Sequence, residues 1–199
     1  MSGCECHLEA RNETERRTLR IVLLINAAMF VSEFGIGLAA DSAGVIADSL
    51  DMLADAMVYS ISLYAVGRSS VIRKRAAMGS GLFQIALACM LLVDVIRRFV
   101  GGSEPAGWLM MGISSIALLA NVACLMLLAK HRRGDVNMRA SWIFSTNDVL
   151  ANMGVLAAGV LVMWSGSRMP DLIVGAAVAS LVVWGGLRIL RTSSTMATG

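Results

Sequence analysis

Six long apolar stretches, separated by short polar segments, dominate this chain of 199 residues. A helix needs about 20 residues to cross the hydrocarbon core of a bilayer, and a helix satisfies its own backbone hydrogen bonds there. Charged residues make up only 16% of the chain, against about 25% in soluble domains. The sequence therefore predicts an all-α bundle of six transmembrane helices. The predicted spans are residues 19–39, 43–66, 76–100, 107–129, 140–164 and 170–190.

The polar segments predict a simple domain organisation. Residues 1–18 form a polar N-terminal tail without the apolar core of a cleavable signal. Residues 19–191 form one transmembrane domain, and residues 192–199 form a short C-terminal tail. The net charge of +3 does not indicate nucleic-acid binding, because the basic residues lie between the apolar stretches. The expected surroundings are a lipid bilayer.

The basic residues also predict the orientation of the protein. Four lie in the N-terminal tail, four in the connection after the second span, four in the connection after the fourth span, and two near the C-terminus. The opposite side has only Arg97, Arg98 and Arg168. By the positive-inside rule, both termini should be cytoplasmic and the protein should lie in the inner membrane.

Three aspartates interrupt the second apolar span. Asp48, Asp51 and Asp55 fall within roughly 60° of one helix face at about 100° per residue. A carboxylate in hydrocarbon costs at least about 2.5–3.5 kcal/mol, so a bound cation is the simplest reason for three together. The alternative, a helix cap or a water-facing residue at the membrane border, suits Asp48 but fits Asp51 and Asp55 poorly.

A fourth aspartate, Asp148, lies in the fifth span and could close the site from a second helix. Asp51 and Asp55 are one helical turn apart and can share an ion, and protons can replace that ion on release. Asn152, one turn after Asp148, is the first candidate for a fourth ligand. Oxygen-only ligation favours harder ions such as Mn²⁺, Co²⁺ or Fe²⁺, while Zn²⁺ also accepts carboxylates. The other candidates for this position are Asn147, Ser145 and water, with Asp48 as a further ligand of the site.

These residues resemble the cation diffusion facilitator family of metal/proton antiporters. In that family the second helix carries a His/Asp-x-x-x-Asp pair that ligates the transported metal, which matches Asp51 and Asp55. The His-x-x-x-Asp of the fifth helix matches at Asp148, whereas Phe144 replaces the histidine. The resemblance covers about residues 19–190. The other residues that support the resemblance are Asn26, Phe30, Glu33, Gly37, Ser42, the pair Ala47-Asp48, the segment Met52-Leu53-Ala54, Ala56, Asn121, and the pair Pro170-Asp171.

Two departures from the family pattern bear on assembly and metal supply. The chain stops soon after the sixth span, so we expect a short member without the family's cytoplasmic metal-binding domain. The connection after the fourth span contains only His131, not a histidine-rich loop. A homodimer would then be held through membrane helices, with the stretch Gly79-Ser80-Gly81 as a candidate face.

The N-terminal Cys/His cluster and Glu33 each have a functional and a structural interpretation. Cys4, Cys6 and His7 could capture Zn²⁺, Cd²⁺ or Co²⁺ at the N-terminus, or they could be incidental residues of a tail. Glu33 in the first span could relay protons, or it could hydrogen-bond to another helix. Three further predictions are structural: an ion pair of Asp94 with Arg97 and Arg98, and packing roles for Cys89 and Cys124.

The sequence thus predicts a secondary transporter that exports divalent transition metals in exchange for protons, with Zn²⁺, Co²⁺ or Cd²⁺ as cargo and Mn²⁺ or Fe²⁺ as further candidates. No enzymatic activity and no resident cofactor are expected, and no Gly-x-x-x-x-Gly-Lys motif indicates an ATP-driven pump. Two alternatives remain: a non-transporting metal sensor or partner subunit, and an organic-cation/proton antiporter.

Overall fold

The computed structural model describes residues 3–65, 70–129 and 136–195, and within these ranges the chain forms six helices and no strand. The predicted all-α, six-helix fold is confirmed. The helices are α1 (Gly3–Ala39), α2 (Ala43–Ala65), α3 (Ser70–Gly101), α4 (Gly107–Ala129), α5 (Val136–Ser165) and α6 (Met169–Thr195).

The helix bounds differ from the predicted spans mainly at one end of the bundle. α2 and α4 end within one residue of the prediction, whereas α1 continues through the polar tail to Gly3. Hydropathy detects only the length buried in lipid. A helix continues beyond that length when good helix formers follow, and the tail is rich in Glu and Arg.

α2 is the central helix of the bundle, because it packs against α1, α3, α5 and α6. α4 packs along α5, and α3 packs along α6. Met52 and Tyr59 of α2 are among the largest fully buried side chains, together with Met110 of α4. The helix that carries three aspartates therefore faces protein on most of its circumference.

Small residues allow close contact between helices. A Cβ atom added at Gly107 of α4 would lie 2.6 Å from the carbonyl oxygen of Gly159 of α5. One added at Gly81 of α3 would lie 3.1 Å from the carbonyl oxygen of Gly186 of α6. Gly81 therefore packs inside one chain, and of the two glycines in the predicted dimer face only Gly79 has open space around it.

The outer surface of the bundle is apolar. Leu24, Val31 and Leu38, spaced seven residues apart on α1, are more than half exposed, which is typical of a helix facing lipid. Trp108 and Trp164 are also exposed, at the start of α4 and the end of α5. Their rings suit the membrane interface.

Four of the six described helices are long and apolar enough to cross a membrane. α2 falls outside this group because every 18-residue stretch of it contains all three aspartates. The chain is a multi-pass membrane protein.

We call the end of the bundle with the connections 40–42, 102–106 and 166–168 the short-loop end. Arg98 is buried there and donates hydrogen bonds to Asp94 and to both the carboxylate and the backbone carbonyl of Asp41. Arg97 also pairs with Asp94, at 2.9 Å. The predicted Asp94 ion pair is confirmed, and its extension to Asp41 ties α3 to the connection between α1 and α2.

Asp171, at the start of α6, closes the same end from the other side. It is fully buried and accepts hydrogen bonds from Ser42 Oγ (2.6 Å) and from the backbone amides of Ala43 (2.8 Å) and Gly44 (2.9 Å). The first amides of a helix have no partner inside the helix. The carboxylate of α6 therefore caps the N-terminus of α2.

Candidate functional site

The buried face of α2 carries the acidic residues of the site. Asp48, Asp55 and Tyr59 are 1%, 3% and 0% exposed, and they follow one another at helical spacings of seven and four residues. Asp51 is partly exposed, and it lies within electrostatic range of Asp48 and Asp55. Three carboxyl groups therefore lie along one side of α2, with Asp51 at its accessible edge.

Asp55 meets Asp148 of α5 in the interior of the bundle. Asp148 is 5% exposed, and the two carboxyl groups are within hydrogen-bonding reach of each other. Tyr59 donates a hydrogen bond from its hydroxyl to Asp55 Oδ2 at 3.2 Å. The structure thus brings together Asp55 and Asp148, and Asp51 also acts electrostatically on Asp148.

Two further polar residues of α5 lie on the same face as Asp148. Asn152 is fully buried, and its Nδ2 donates to the backbone carbonyl of Asp148 at 2.9 Å. Its Oδ1 has no hydrogen-bond partner within the described part of the chain, so it can still accept a donor or a cation. Ser145 is buried too, and its hydroxyl lies 3.4 Å from the backbone carbonyl of Asn121 of α4.

α1 and α4 add residues that sequence reasoning did not place at the site. Asn26 of α1 and Cys124 of α4 are each 1% exposed, and Asn26 Nδ2 lies 4.0 Å from Cys124 Sγ. Cys124 also interacts electrostatically with Asp55 and Tyr59. Cys124 and Tyr59 also belong to one buried apolar cluster with Leu19, Val22 and Leu128, so the predicted packing role of Cys124 is confirmed, whereas Cys89 is exposed.

Glu33 and Asp48 form a second acidic contact, between α1 and α2. Glu33 is fully buried, and its carboxyl group is within hydrogen-bonding reach of that of Asp48. Neither Glu33 oxygen has a hydrogen-bond donor among the residues described, and the same holds for Asp48 Oδ2. At about 1.5 Å of rise per residue, Asp48 lies roughly 10 Å along α2 from Asp55, towards the short-loop end.

The candidate metal ligands lie near one another, but their side chains do not converge on a single position. Across residues 3–65, 70–129 and 136–195, no three His, Cys, Asp or Glu side chains are close enough together to hold a metal ion. Binding an ion would require side-chain rotation. The side chains of Cys4, Cys6, His7 and Asn147 lie outside the described residues, and the metal-binding roles of all candidate residues stay predictions.

Comparison with known proteins identifies the class. Residues 19–196 match the cation efflux transmembrane domain, a stretch that contains α2 to α6 and α1 from residue 19 onwards. The chain belongs to the cation efflux family, which is the family that the sequence motifs predicted.

The curated relatives are transporters of metal cations by name. The zinc transporter ZitB of Pectobacterium atrosepticum is 26% identical over 97% of this chain and 63% of its own length. A cadmium, cobalt and zinc/H(+)-K(+) antiporter of Bacillus velezensis is 25% identical over 94% of this chain and 64% of the relative. The metal cation efflux system protein CzcD of Cupriavidus metallidurans is 21% identical over 83% and 55%. The chain spans less than two thirds of the length of these relatives.

Proposed function

We propose that this protein exports divalent transition-metal cations, with Zn²⁺, Co²⁺ or Cd²⁺ as cargo, from the cytoplasm in exchange for protons. The observation that carries the proposal is the buried pair of Asp55 and Asp148. It joins α2 and α5 inside a bundle that matches the cation efflux family. The names of the relatives support zinc, cadmium and cobalt as cargo and protons as a counter-ion.

Electrostatics favour a dication at this pair. Two carboxylates in contact repel each other strongly in a medium of low dielectric constant. A dication between them removes the repulsion, and so does a proton on one of them. Ion and proton therefore compete for the same oxygens, and release of the ion is favourable only where protons replace it. This competition is the physical basis of exchange.

Asp51 and Asn152 extend the site around the pair. Asp51 is partly exposed and lies one helical turn from Asp55 towards the short-loop end, so its carboxylate can receive an ion that leaves the buried Asp55 and Asp148. The free Oδ1 of Asn152 offers a neutral oxygen one helical turn from Asp148. In this assignment the buried pair holds the ion, Asn152 completes the coordination, and Asp51 receives the ion on the way out. Glu33 and Asp48 then serve proton transfer towards the short-loop end.

The orientation follows from the basic residues. Their excess on the N-terminal side and in the two connections opposite the short-loop end supports a cytoplasmic position for that side. The short-loop end then faces the periplasm of an inner membrane. Export would carry the ion along α2 from the level of Asp55 towards that of Asp48.

Proteoliposomes with an imposed pH gradient test the proposal. We expect Asp55→Ala and Asp148→Ala each to lower the rate of Zn²⁺ or Co²⁺ transport by about 100-fold or more, since loss of even an outer partner of a metal site costs 10–100-fold. Glu104→Gln is the matched control, because Glu104 is an exposed acidic residue at the short-loop end. Metal transport at the normal rate by Asp55→Ala protein would reject the site. Transport that ignores the pH gradient would reject proton exchange.

A further inference from the structure

Tyr59 places a buried hydroxyl group against the carboxyl group of Asp55. The side chain of Tyr59 is 0% exposed, and its hydroxyl donates a hydrogen bond to Asp55 Oδ2 at 3.2 Å. Side chains of an α-helix lean towards its N-terminus and lie over the preceding turn, which brings Tyr59 to the residue four positions earlier. The hydrogen bond is therefore made within α2 and needs no second helix.

Apolar packing explains the ring of Tyr59 but not its hydroxyl group. The ring belongs to a buried cluster with residues of α1 and α4, namely Leu19, Val22, Cys124 and Leu128. Phenylalanine would fill the same space, and it would avoid the cost of burying a polar O–H group. The reason for the hydroxyl group must therefore lie with its hydrogen-bond partner, the carboxyl group of Asp55.

The donated hydrogen bond distinguishes Asp55 from the other buried acids of α1 and α2. Among the residues described, both oxygens of Glu33 and Oδ2 of Asp48 lack a hydrogen-bond donor, whereas Asp55 Oδ2 has one. A hydrogen bond is directional, so rotation of the Asp55 carboxyl group would break its bond to Tyr59. Tyr59 therefore holds Asp55 in the orientation in which it lies within hydrogen-bonding reach of Asp148.

We propose that Tyr59 is a positioning residue of the carboxylate site, and that it raises the affinity for the transported dication by orienting Asp55 towards Asp148. This assignment rests on the proposed function. Carboxylates that bind metals are themselves held by hydrogen bonds, and loss of such a partner costs about 10–100-fold in affinity or activity. A carboxylate oxygen has two lone pairs, so Asp55 can accept from Tyr59 and bind an ion at the same time. Tyr59 acts through Asp55 and is not itself a ligand.

Transport kinetics in proteoliposomes test this role. Tyr59→Phe removes the hydroxyl group and keeps the ring. The Zn²⁺ concentration for half-maximal rate should rise by about tenfold or more, while the maximal rate stays nearly unchanged. Tyr64→Phe is the matched control, because Tyr64 is 52% exposed on the same helix, and it should change neither parameter. A normal half-maximal concentration in Tyr59→Phe would overturn the proposal. A lower maximal rate without a change in that concentration would show a structural role and overturn it as well.

Spectroscopy gives a second readout, in which Tyr59 itself is kept. Tyr59 and Tyr64 are the two tyrosines of the chain, so the tyrosine signal of Tyr64→Phe protein comes from Tyr59. The tyrosine doublet in ultraviolet resonance Raman spectra reports the hydrogen bonding of the hydroxyl group. Zn²⁺ should change this doublet, because a dication draws charge from the carboxylate that accepts the hydrogen bond. Adding Asp55→Asn should abolish the change. An unchanged doublet in Tyr64→Phe protein saturated with Zn²⁺ would overturn the proposal.

The two proposals fail in different ways. A normal half-maximal Zn²⁺ concentration in Tyr59→Phe, combined with loss of transport in Asp55→Ala, would remove the positioning role and leave the carboxylate site intact. Normal transport by Asp55→Ala protein would instead remove the site through which Tyr59 is proposed to act. A folding defect of Tyr59→Phe does not affect the Raman measurement, because that measurement uses protein with Tyr59 in place.

Discussion

The contact between Asp171 and the start of α2 predicts a large effect of Asp171→Ala on stability. The buried carboxylate accepts hydrogen bonds from Ser42 Oγ and from the amides of Ala43 and Gly44. Alanine removes both carboxylate oxygens, and with them all three hydrogen bonds, without offering another acceptor. Ser42 Oγ already accepts a hydrogen bond from Val45 N at 3.1 Å, so it cannot replace Asp171 as the acceptor for the amides of Ala43 and Gly44.

The size of the effect follows from those two amides. Each buried donor left without a partner costs about 1–3 kcal/mol, so the free energy of unfolding should fall by about 2–6 kcal/mol. In a protein of this size 1 kcal/mol shifts the melting temperature by about 2–4 °C, which predicts a decrease of about 4–24 °C. Asp171→Asn should cost less, because the amide keeps one acceptor oxygen.

Thermal unfolding of the detergent-solubilised protein, followed by tryptophan fluorescence, measures this decrease. Glu104→Gln serves as the control at the same end of the bundle, because its exposed side chain should contribute little. Ser42→Ala combined with Asp171→Ala should cost less than the sum of the single changes, since both variants remove the same hydrogen bond. A decrease below about 2 °C in Asp171→Ala would refute the capping argument.

Three other predictions concern packing, the second acidic contact and the tail. Gly107→Ala should lower the free energy of unfolding by about 1–3 kcal/mol, because its Cβ would lie 2.6 Å from a backbone oxygen of α5. Gly112→Ala in the same helix is the control, because its Cβ meets nothing within 4 Å and the change should be neutral or stabilising. Thermal unfolding of the two variants measures the difference. Asp48→Ala should reduce metal transport less than Asp55→Ala, because Asp48 contacts Glu33 rather than Asp148; equal loss in the same flux assay would contradict this. Deleting residues 1–10 should leave the maximal flux nearly unchanged and raise the metal concentration for half-maximal rate, and complete loss of flux would place the tail in the transport mechanism itself.

The fold was largely predictable from hydropathy and turn residues. The segment Asp41-Ser42 precedes α2, and the segment from Gly102 to Pro105 precedes α4, so the starts of both helices were located correctly. Gly102 and Gly166 take positive φ angles of 94° and 64°, as expected after helix ends. Asp41 does so as well, at 48°, a conformation that aspartate tolerates better than most residues and that Arg98 and the amide of Glu104 hold in place.

The site was predictable only in part. Asp55 and Asp148 stand out because a carboxylate in an apolar stretch is energetically costly, and this cost indicates a functional role from the sequence alone. Tyr59, Asn26 and Cys124 do not stand out, because such residues often occur in apolar helices as packing or hydrogen-bonding groups. The contact of Asn26 with Cys124 depends on how α1 and α4 are rotated against each other, and no local pattern encodes that rotation.

The cap on α2 has a consequence for biosynthesis. The contact between Ala43 and Asp171 joins residues 128 positions apart in the chain. At about 5–20 residues per second, roughly 6–25 s pass on the ribosome between synthesis of the start of α2 and synthesis of its partner. During that time the first amides of α2 need water or the insertion machinery as temporary acceptors. The helix that carries three of the aspartates is thus synthesised second, but its N-terminus is capped only after the last helix is made. A nascent chain stalled before α6 therefore contains α2 without its cap.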